Sequence, residues 1–197
     1  MTLLSHLESI ADPRRAQGQR YQLKYVLLFT VFAMLSNAKS YRNIEAFISA
    51  CLKKLNKAFG IQWKRSPDYT QIRNIIIAID KESMEKAFRM YSMELSQGFV
   101  DNKKSRMYIA FDGKALRGSI DHFQDKKCLQ ELFAYEINGK IILGHIDIDE
   151  KSNEIPAMQE LIQKLNLHNC IFTADAMHCQ KKPSKLPLRI TMTCWFR

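Results

Sequence analysis

Three things are scarce in this chain of 197 residues: long apolar runs, patterned cysteines and, towards its end, negative charge. The most apolar run, Val26 to Leu35, is about ten residues, half of what a helix needs to span a bilayer. No basic-then-apolar leader with a small-residue cleavage site opens the sequence. Neither export nor membrane insertion is therefore expected. Five cysteines, Cys51, Cys128, Cys170, Cys179 and Cys194, are an odd number without regular spacing. That argues against a disulfide framework and for a reducing compartment, so a cytoplasmic protein is expected. After Asp175 there is no Asp or Glu at all.

What the chain does have is a hydrophobic fraction of 46%, enough for a true core in one medium domain or two small ones. Its net charge of +10 is unevenly spread. Residues 1–106 carry 18 Lys+Arg against 9 Asp+Glu, residues 107–180 carry 7 against 11, and the remaining 17 residues carry five bases and no acid. A basic module thus precedes an acidic one, which suits a polyanion held by the first half and cations bound by carboxylates in the second.

The first hundred residues read as helices. Leu3, Leu4, Leu7 and Ile10 recur at helical spacing until Asp12-Pro13 stops them. Arg14, Arg15 and Arg20 then form a basic loop, open to phosphate contact or to simple solvation. Tyr21 to Ala38 is apolar all round and predicts a buried central helix. Ser40 is a good N-cap for an amphipathic helix striped by Ile44, Phe47, Ile48, Cys51, Leu52 and Leu55, and Gly60 ends it. Ser66-Pro67 and Thr70 are expected to open Gln71 to Ala78, and Asp80 to cap Lys81 to Gln97. Helices joined around residues 66–79 could make a helix-turn-helix presenting Gln71, Arg73 and Asn74 to a groove, or belong to an ordinary bundle with solvated charges.

From Met107 the pattern changes, with Asp101 to Arg106 as the expected linker. Met107 to Phe111 reads as a strand ending on Asp112 at an Asp-Gly turn. Two β-rich runs, Cys128 to Ile137 and Lys140 to Ile148, are joined through Asn138-Gly139, a hairpin signal. Ile155 to Leu165 reads as a helix with Pro156 in its first turn, followed by a strand from Cys170 to Thr173. Asp112 and Asp175 each follow an apolar run, where a strand's end projects side chains into a ligand crevice. The plainer alternative is that Asp112 only starts a turn and Asp175 only caps a helix. His168, Cys170, His178 and Cys179 fit none of the usual paired zinc-ligand spacings, and Cys170 is expected to begin a buried strand.

Three blocks in order, FDGKALRGS at Phe111 to Ser119, EKSNEIPAMQEL at Glu150 to Leu161 and TADAMHCQK at Thr173 to Lys181, resemble insertion-sequence transposases of the DDE type, in their H-repeat-associated branch. The resemblance runs from about Leu4 to Lys181. It implies an α+β chain: a basic, helical, transposase-associated domain over residues 1–102, then an incomplete ribonuclease H-like α/β domain over residues 107–181. In that architecture the fourth strand lies parallel to the first, and Asp112 and Asp175 match the first two catalytic aspartates, sharing Mg²⁺ or Mn²⁺. The partner implied is the double-stranded DNA of transposon ends, in the bacterial cytoplasm at the nucleoid, with self-association into a homo-oligomer left open. Lys114 and Arg117 suit phosphate contacts or serve as surface cations beside a turn, and Arg14, Arg15, Arg20 and Arg73 are the further DNA-contact candidates. Glu154 matches a recurrent glutamate of the family, and is equally an ordinary acidic residue at a helix start.

The family's third carboxylate, a Glu on a helix downstream of the second Asp, has no counterpart here. Residues 182–197, KPSKLPLRITMTCWFR, leave the family pattern and resemble out-of-frame sequence. The expectation is a truncated transposase with two of three carboxylates, holding metal weakly and not cutting DNA. The alternative is a non-catalytic DNA-binding or subunit-interaction remnant. With no fifth strand expected, the fourth would have an unpaired edge.

Overall fold

The computed structural model describes residues 2–97, 106–116, 129–148, 154–166, 170–173 and 191–192. The chain divides into two compact units, Met1–Tyr91 and Ser92–Arg197, with the division inside one helix. The linker expected at residues 101–106 lies almost wholly outside the described residues.

The first unit is built around α2, Leu23–Leu35. Val26, Phe29 and Ala33 are fully buried on it, and Leu23, Leu27 and Leu28 nearly so. A helix apolar on all sides must be surrounded. Against it pack α1, Leu3–Glu8, then α3, Tyr41–Phe59, and α4, Tyr69–Ala78. In α3 the residues Ile44, Ile48 and Leu55 supply the buried stripe. The Ser40 hydroxyl accepts the Asn43 N–H at 3.2 Å, and Gly60 ends the helix at φ +64°, in the left-handed region that a glycine enters at no steric cost. Aromatic rings fill the remaining space: Phe29 meets Phe59 and Trp63 at 5.4 Å each, and Trp63 meets Tyr21 edge-on at 4.8 Å. The Asn56 side chain ties down the loop after α3, donating to the Trp63 carbonyl and accepting its N–H.

Two details differ from the sequence expectation. The N-cap of α4 is Asp68, whose carboxylate accepts the N–H groups of Thr70 and Gln71 and the Thr70 hydroxyl. Three donors converging on one carboxylate outcompete Ser66 for the capping position. The second detail concerns the helix-turn-helix. Such a motif joins its helices by roughly three or four residues, whereas Gly60 to Asp68 separates α3 from α4, and only Ile79 and Asp80 separate α4 from α5, Lys81–Gln97. Asp80 caps α5 as expected, accepting the Ser83 N–H and hydroxyl.

Among the described residues, the second unit holds a five-stranded sheet of order β3-β2-β1-β4-β5. Its strands are β1 Met107–Leu116, β2 Leu129–Glu136, β3 Ile141–Ile148, β4 Cys170–Thr173 and the two-residue β5 Thr191–Met192. β1, β2 and β3 run antiparallel, and β4 lies parallel to β1. One face is covered by α6, Glu154–Leu165. Its Ala157, Met158, Leu161, Ile162 and Leu165 share a core with Ile109, Phe111, Leu132, Ala134 and Phe172.

The hairpin between β2 and β3 forms where Asn138-Gly139 predicts it, but over four residues, with Lys140 at φ +56°. The fully buried Glu136 closes the turn by accepting the N–H groups of Asn138 and Gly139. Two strand expectations are corrected. β1 does not end at an Asp-Gly turn: Asp112 and Gly113 stay in the ladder opposite Phe133 and Leu132, because pairing with β2 outweighs the local turn preference. Nor is β4 an unpaired edge, since Thr191 and Met192 pair in parallel with Ile171 and Phe172.

Candidate functional site

Side chains alternate across a strand, and residues directly opposite in a ladder share a face. The register therefore puts Asp112 and Lys114 of β1, Glu131 and Phe133 of β2, and His145 and Asp147 of β3 on one face. It is the face opposite the core of Phe111, Leu132 and Phe172. Asp112, Lys114 and Asp147 are exposed there, with Glu131, Phe133 and His145 half-buried.

Asp112 stands opposite Phe133, which stands opposite His145. The two rings stack, with centroids 5.6 Å apart and planes at 28°. In the next same-face row Lys114 stands opposite Glu131, and Glu131 opposite Asp147. Donor atoms of Glu131, His145 and Asp147 all lie within 4.8 Å of one another. Sequence reasoning missed these three. Their signal was the alternation of LQELFAYE with GHIDI across a hairpin, legible only once the register is known.

The parallel pairing of β1 and β4 runs from Met107 opposite Cys170 to Ala110 opposite Thr173, with the Thr173 hydroxyl donating to the Ile109 carbonyl at 3.4 Å. Asp175 and Arg117 lie outside the described residues, as do His168, His178 and Cys179. Glu154 is the first residue of α6. Cys170 begins β4 buried, and burial pushes its thiol up to about 11.

The basic candidates of the helical unit separate by what they touch. The Arg14 side chain is only 12% exposed. It donates to both oxygens of Asp12, at 2.8 and 2.7 Å, and to the carbonyls of Gly18 and Tyr21. Its hydrogen bond holds the Asp12 carboxyl below the usual range. Arg14 is thus a clasp for its own loop, a different role from the phosphate contact expected of it. Arg15, Arg20 and Arg73 are exposed, with Arg20 lying over the Tyr21 ring at 5.6 Å. Gln71 and Asn74 are exposed beside Arg73 on α4. Among the described residues, no helix is long and apolar enough to cross a membrane.

Residues 4–92 match the family described as DDE_Tnp_1-associated. The Escherichia coli (strain K12) protein named "H repeat-associated putative transposase YhhI" is 31% identical over 91% of this chain and 46% of its own length. From the same organism, "Putative transposase YncI" is 31% identical over 91% of this chain and 70% of that protein. The chain spans about half the length of YhhI and of other curated relatives. Among solved structures, the piggyBac transposase synaptic complex with hairpin DNA aligns with 96% of this chain and 47% of its own, at a TM-score of 0.41 and 12% identity. On the extent and identity of the match to its relatives, the chain belongs to the H repeat-associated transposase family.

Proposed function

We propose that this chain serves DNA transposition by metal-dependent phosphodiester chemistry, with Asp112 and Asp175 as its carboxylate pair and the basic helical unit holding duplex DNA. The observation that carries the reading is the parallel register of β1 and β4. Ala110 faces Thr173, and each aspartate follows its strand's residue of that pair by two positions in the sequence. The strand order β3-β2-β1-β4-β5, antiparallel in its first three strands and parallel in its last two pairings, supports a ribonuclease H-like sheet.

An exposed carboxylate on a central strand fits a hard divalent cation, since Mg²⁺ and Mn²⁺ take oxygen ligands and keep several waters. Such ions, when bound, activate the attacking oxygen and stabilise the leaving oxygen of an in-line displacement at phosphorus. The protein's own part is positional. Pairing with β2 holds the backbone of Asp112 in the ladder, and Lys114, on the same face, is placed to meet a phosphate oxygen. Arg15, Arg20 and Arg73, exposed on the unit that is rich in Lys and Arg, would hold the DNA backbone without reading its sequence. Water, then a DNA 3′-hydroxyl, is the nucleophile in this reading.

A second reading is favoured by one fact: the basic surplus lies in residues 1–106, with 18 Lys+Arg against 9 Asp+Glu. On that reading it binds DNA or a second subunit without cutting. Supercoiled plasmid with Mn²⁺ separates the two. Nicking that disappears in both Asp112→Asn and Asp175→Asn establishes the catalytic reading. Salt-sensitive DNA binding without nicking establishes the second in its DNA-binding form, and absence of DNA binding at low salt overturns every reading in which the chain holds DNA.

A further inference from the structure

Glu131 and Asp147 stand directly opposite each other on neighbouring antiparallel strands and on the same face. Lys114 stands opposite Glu131 on the same face, so a site here rests on the geometry of the donors and not on unbalanced charge. His145 is the neighbouring residue on that face, two positions before Asp147 on β3, with its ring stacked on Phe133. One imidazole and two carboxylates bring donors to within 4.8 Å of one another. Two donors at about 2.1 Å from a shared ion can be no more than about 4.2 Å apart, so small side-chain rotations close the set.

We propose that Glu131, His145 and Asp147 form a site for a divalent transition-metal ion, bridging β2 to the edge strand β3. The site is separate from the Asp112 and Asp175 pair and does not depend on that reading. Asp112 lies two strands from His145, roughly 10 Å away at the strand spacing of a sheet. The donor sets differ as well. An imidazole selects borderline metals such as Zn²⁺ over Mg²⁺, which prefers an all-oxygen shell. Stacking on Phe133 restricts the His145 ring, and the ladder fixes both strands, so much of the ordering cost of binding is met by the fold. Three protein ligands leave the remaining positions to water.

The test uses the full chain and Zn²⁺ alone, in a buffer that does not chelate metals. Calorimetric titration is expected to show a site lost in His145→Ala and in Asp147→Asn, and retained in Asp112→Asn. Loss of even an outer-shell partner costs a metal site roughly 10–100-fold in affinity, so removing a ligand should cost at least that. Asp147→Asn keeps size and shape at an exposed position, and so remains informative if His145→Ala fails to fold. Nitrogen-15 NMR of the imidazoles adds a direct reading, with the His145 ring resonance expected to shift on adding Zn²⁺. Binding of equal strength in wild type and Asp147→Asn, no binding by the wild type, or a His145 ring blind to Zn²⁺ would each overturn the proposal.

Discussion

The helical unit and the sheet unit use their charged residues in opposite ways. In the helical unit many are consumed by the fold: Arg14 clasps Asp12, Lys24 pairs with Glu8, Asp68 and Asp80 cap helices, and Glu85 pairs with Lys81 and Arg89. In the sheet unit, Asp112, Lys114, Glu131, His145 and Asp147 gather on the face that does not carry the apolar core. A unit that spends its carboxylates on capping presents a surface dominated by exposed basic side chains. One that gathers carboxylates on a face offers ligands to cations.

The largest expected effects test the two cores. Phe29, fully buried among rings in α2, and Phe111, on the covered face of β1 against Phe172, should each cost about 3–5 kcal/mol as alanine. Urea unfolding measures this. A loss below about 1 kcal/mol at either position would mean that its unit lacks the packed core described.

Next comes the division among the arginines. Arg14→Ala removes charge-assisted bonds to Asp12 and two carbonyls and should lower stability by about 1–3 kcal/mol. Arg15→Ala, at an exposed position, should stay within about 0.5 kcal/mol while weakening DNA binding and flattening its salt dependence. Reversal of that pattern would return Arg14 to the DNA-contact set.

Acid sharpens the same contrast. Hydrogen bonds from Arg14, Thr70 and Ser83 hold Asp12, Asp68 and Asp80 below their ordinary value of 3.8. A depressed carboxyl stabilises the fold fully above its unfolded pKa and loses that contribution as pH falls through the folded one. Helical stability should therefore hold from pH 7 down to about 4 and drop below it. Asp80→Asn should make the drop shallower, because one of the three linked carboxyls no longer titrates. Circular dichroism of urea unfolding at pH 5 and pH 3 checks the sign, and a stability that rises on acidification would contradict it.

How much of this was legible in the sequence follows from how local each cause is. The central helix, the Ser40 cap, the Gly60 stop and the Asn138-Gly139 hairpin depend on neighbours within a few residues, and periodicity or turn chemistry reveals them. The extension of β1 through Asp112-Gly113 was hidden because its cause is β2, about twenty residues downstream. Arg14 looked like a free cation because the Tyr21 carbonyl it meets lies seven residues away across a loop. The cluster of Glu131, His145 and Asp147 needs the hairpin's register, and a bulge between Ala134 and Tyr135 shifts that register midway. Asp112 was found as a candidate for a partly wrong structural reason: it lies inside a strand, not at its end.

The smallest expected effect on stability is also the most informative about function. Asp112 and Phe111 are adjacent in β1, yet alternation sends one to the exposed face and the other into the core. Asn has nearly the shape of Asp, and at an exposed position with no packing to lose, Asp112→Asn should change stability by no more than about 0.5 kcal/mol. Its backbone keeps its pairing with Phe133, so the sheet is undisturbed. What changes is charge. A neutral amide is a poorer ligand for a hard cation than a carboxylate, so Mn²⁺ affinity at this position should fall while the Zn²⁺ titration attributed to His145 stays the same. Proton relaxation enhancement by Mn²⁺, measured on wild type and variant side by side, decides the point. If the variant is as stable as wild type and binds Mn²⁺ equally well, Asp112 is an ordinary solvated residue and the carboxylate-pair reading fails. If it unfolds, the exposed face of β1 is part of the packing, and the contrast between the two faces of the strand is wrong.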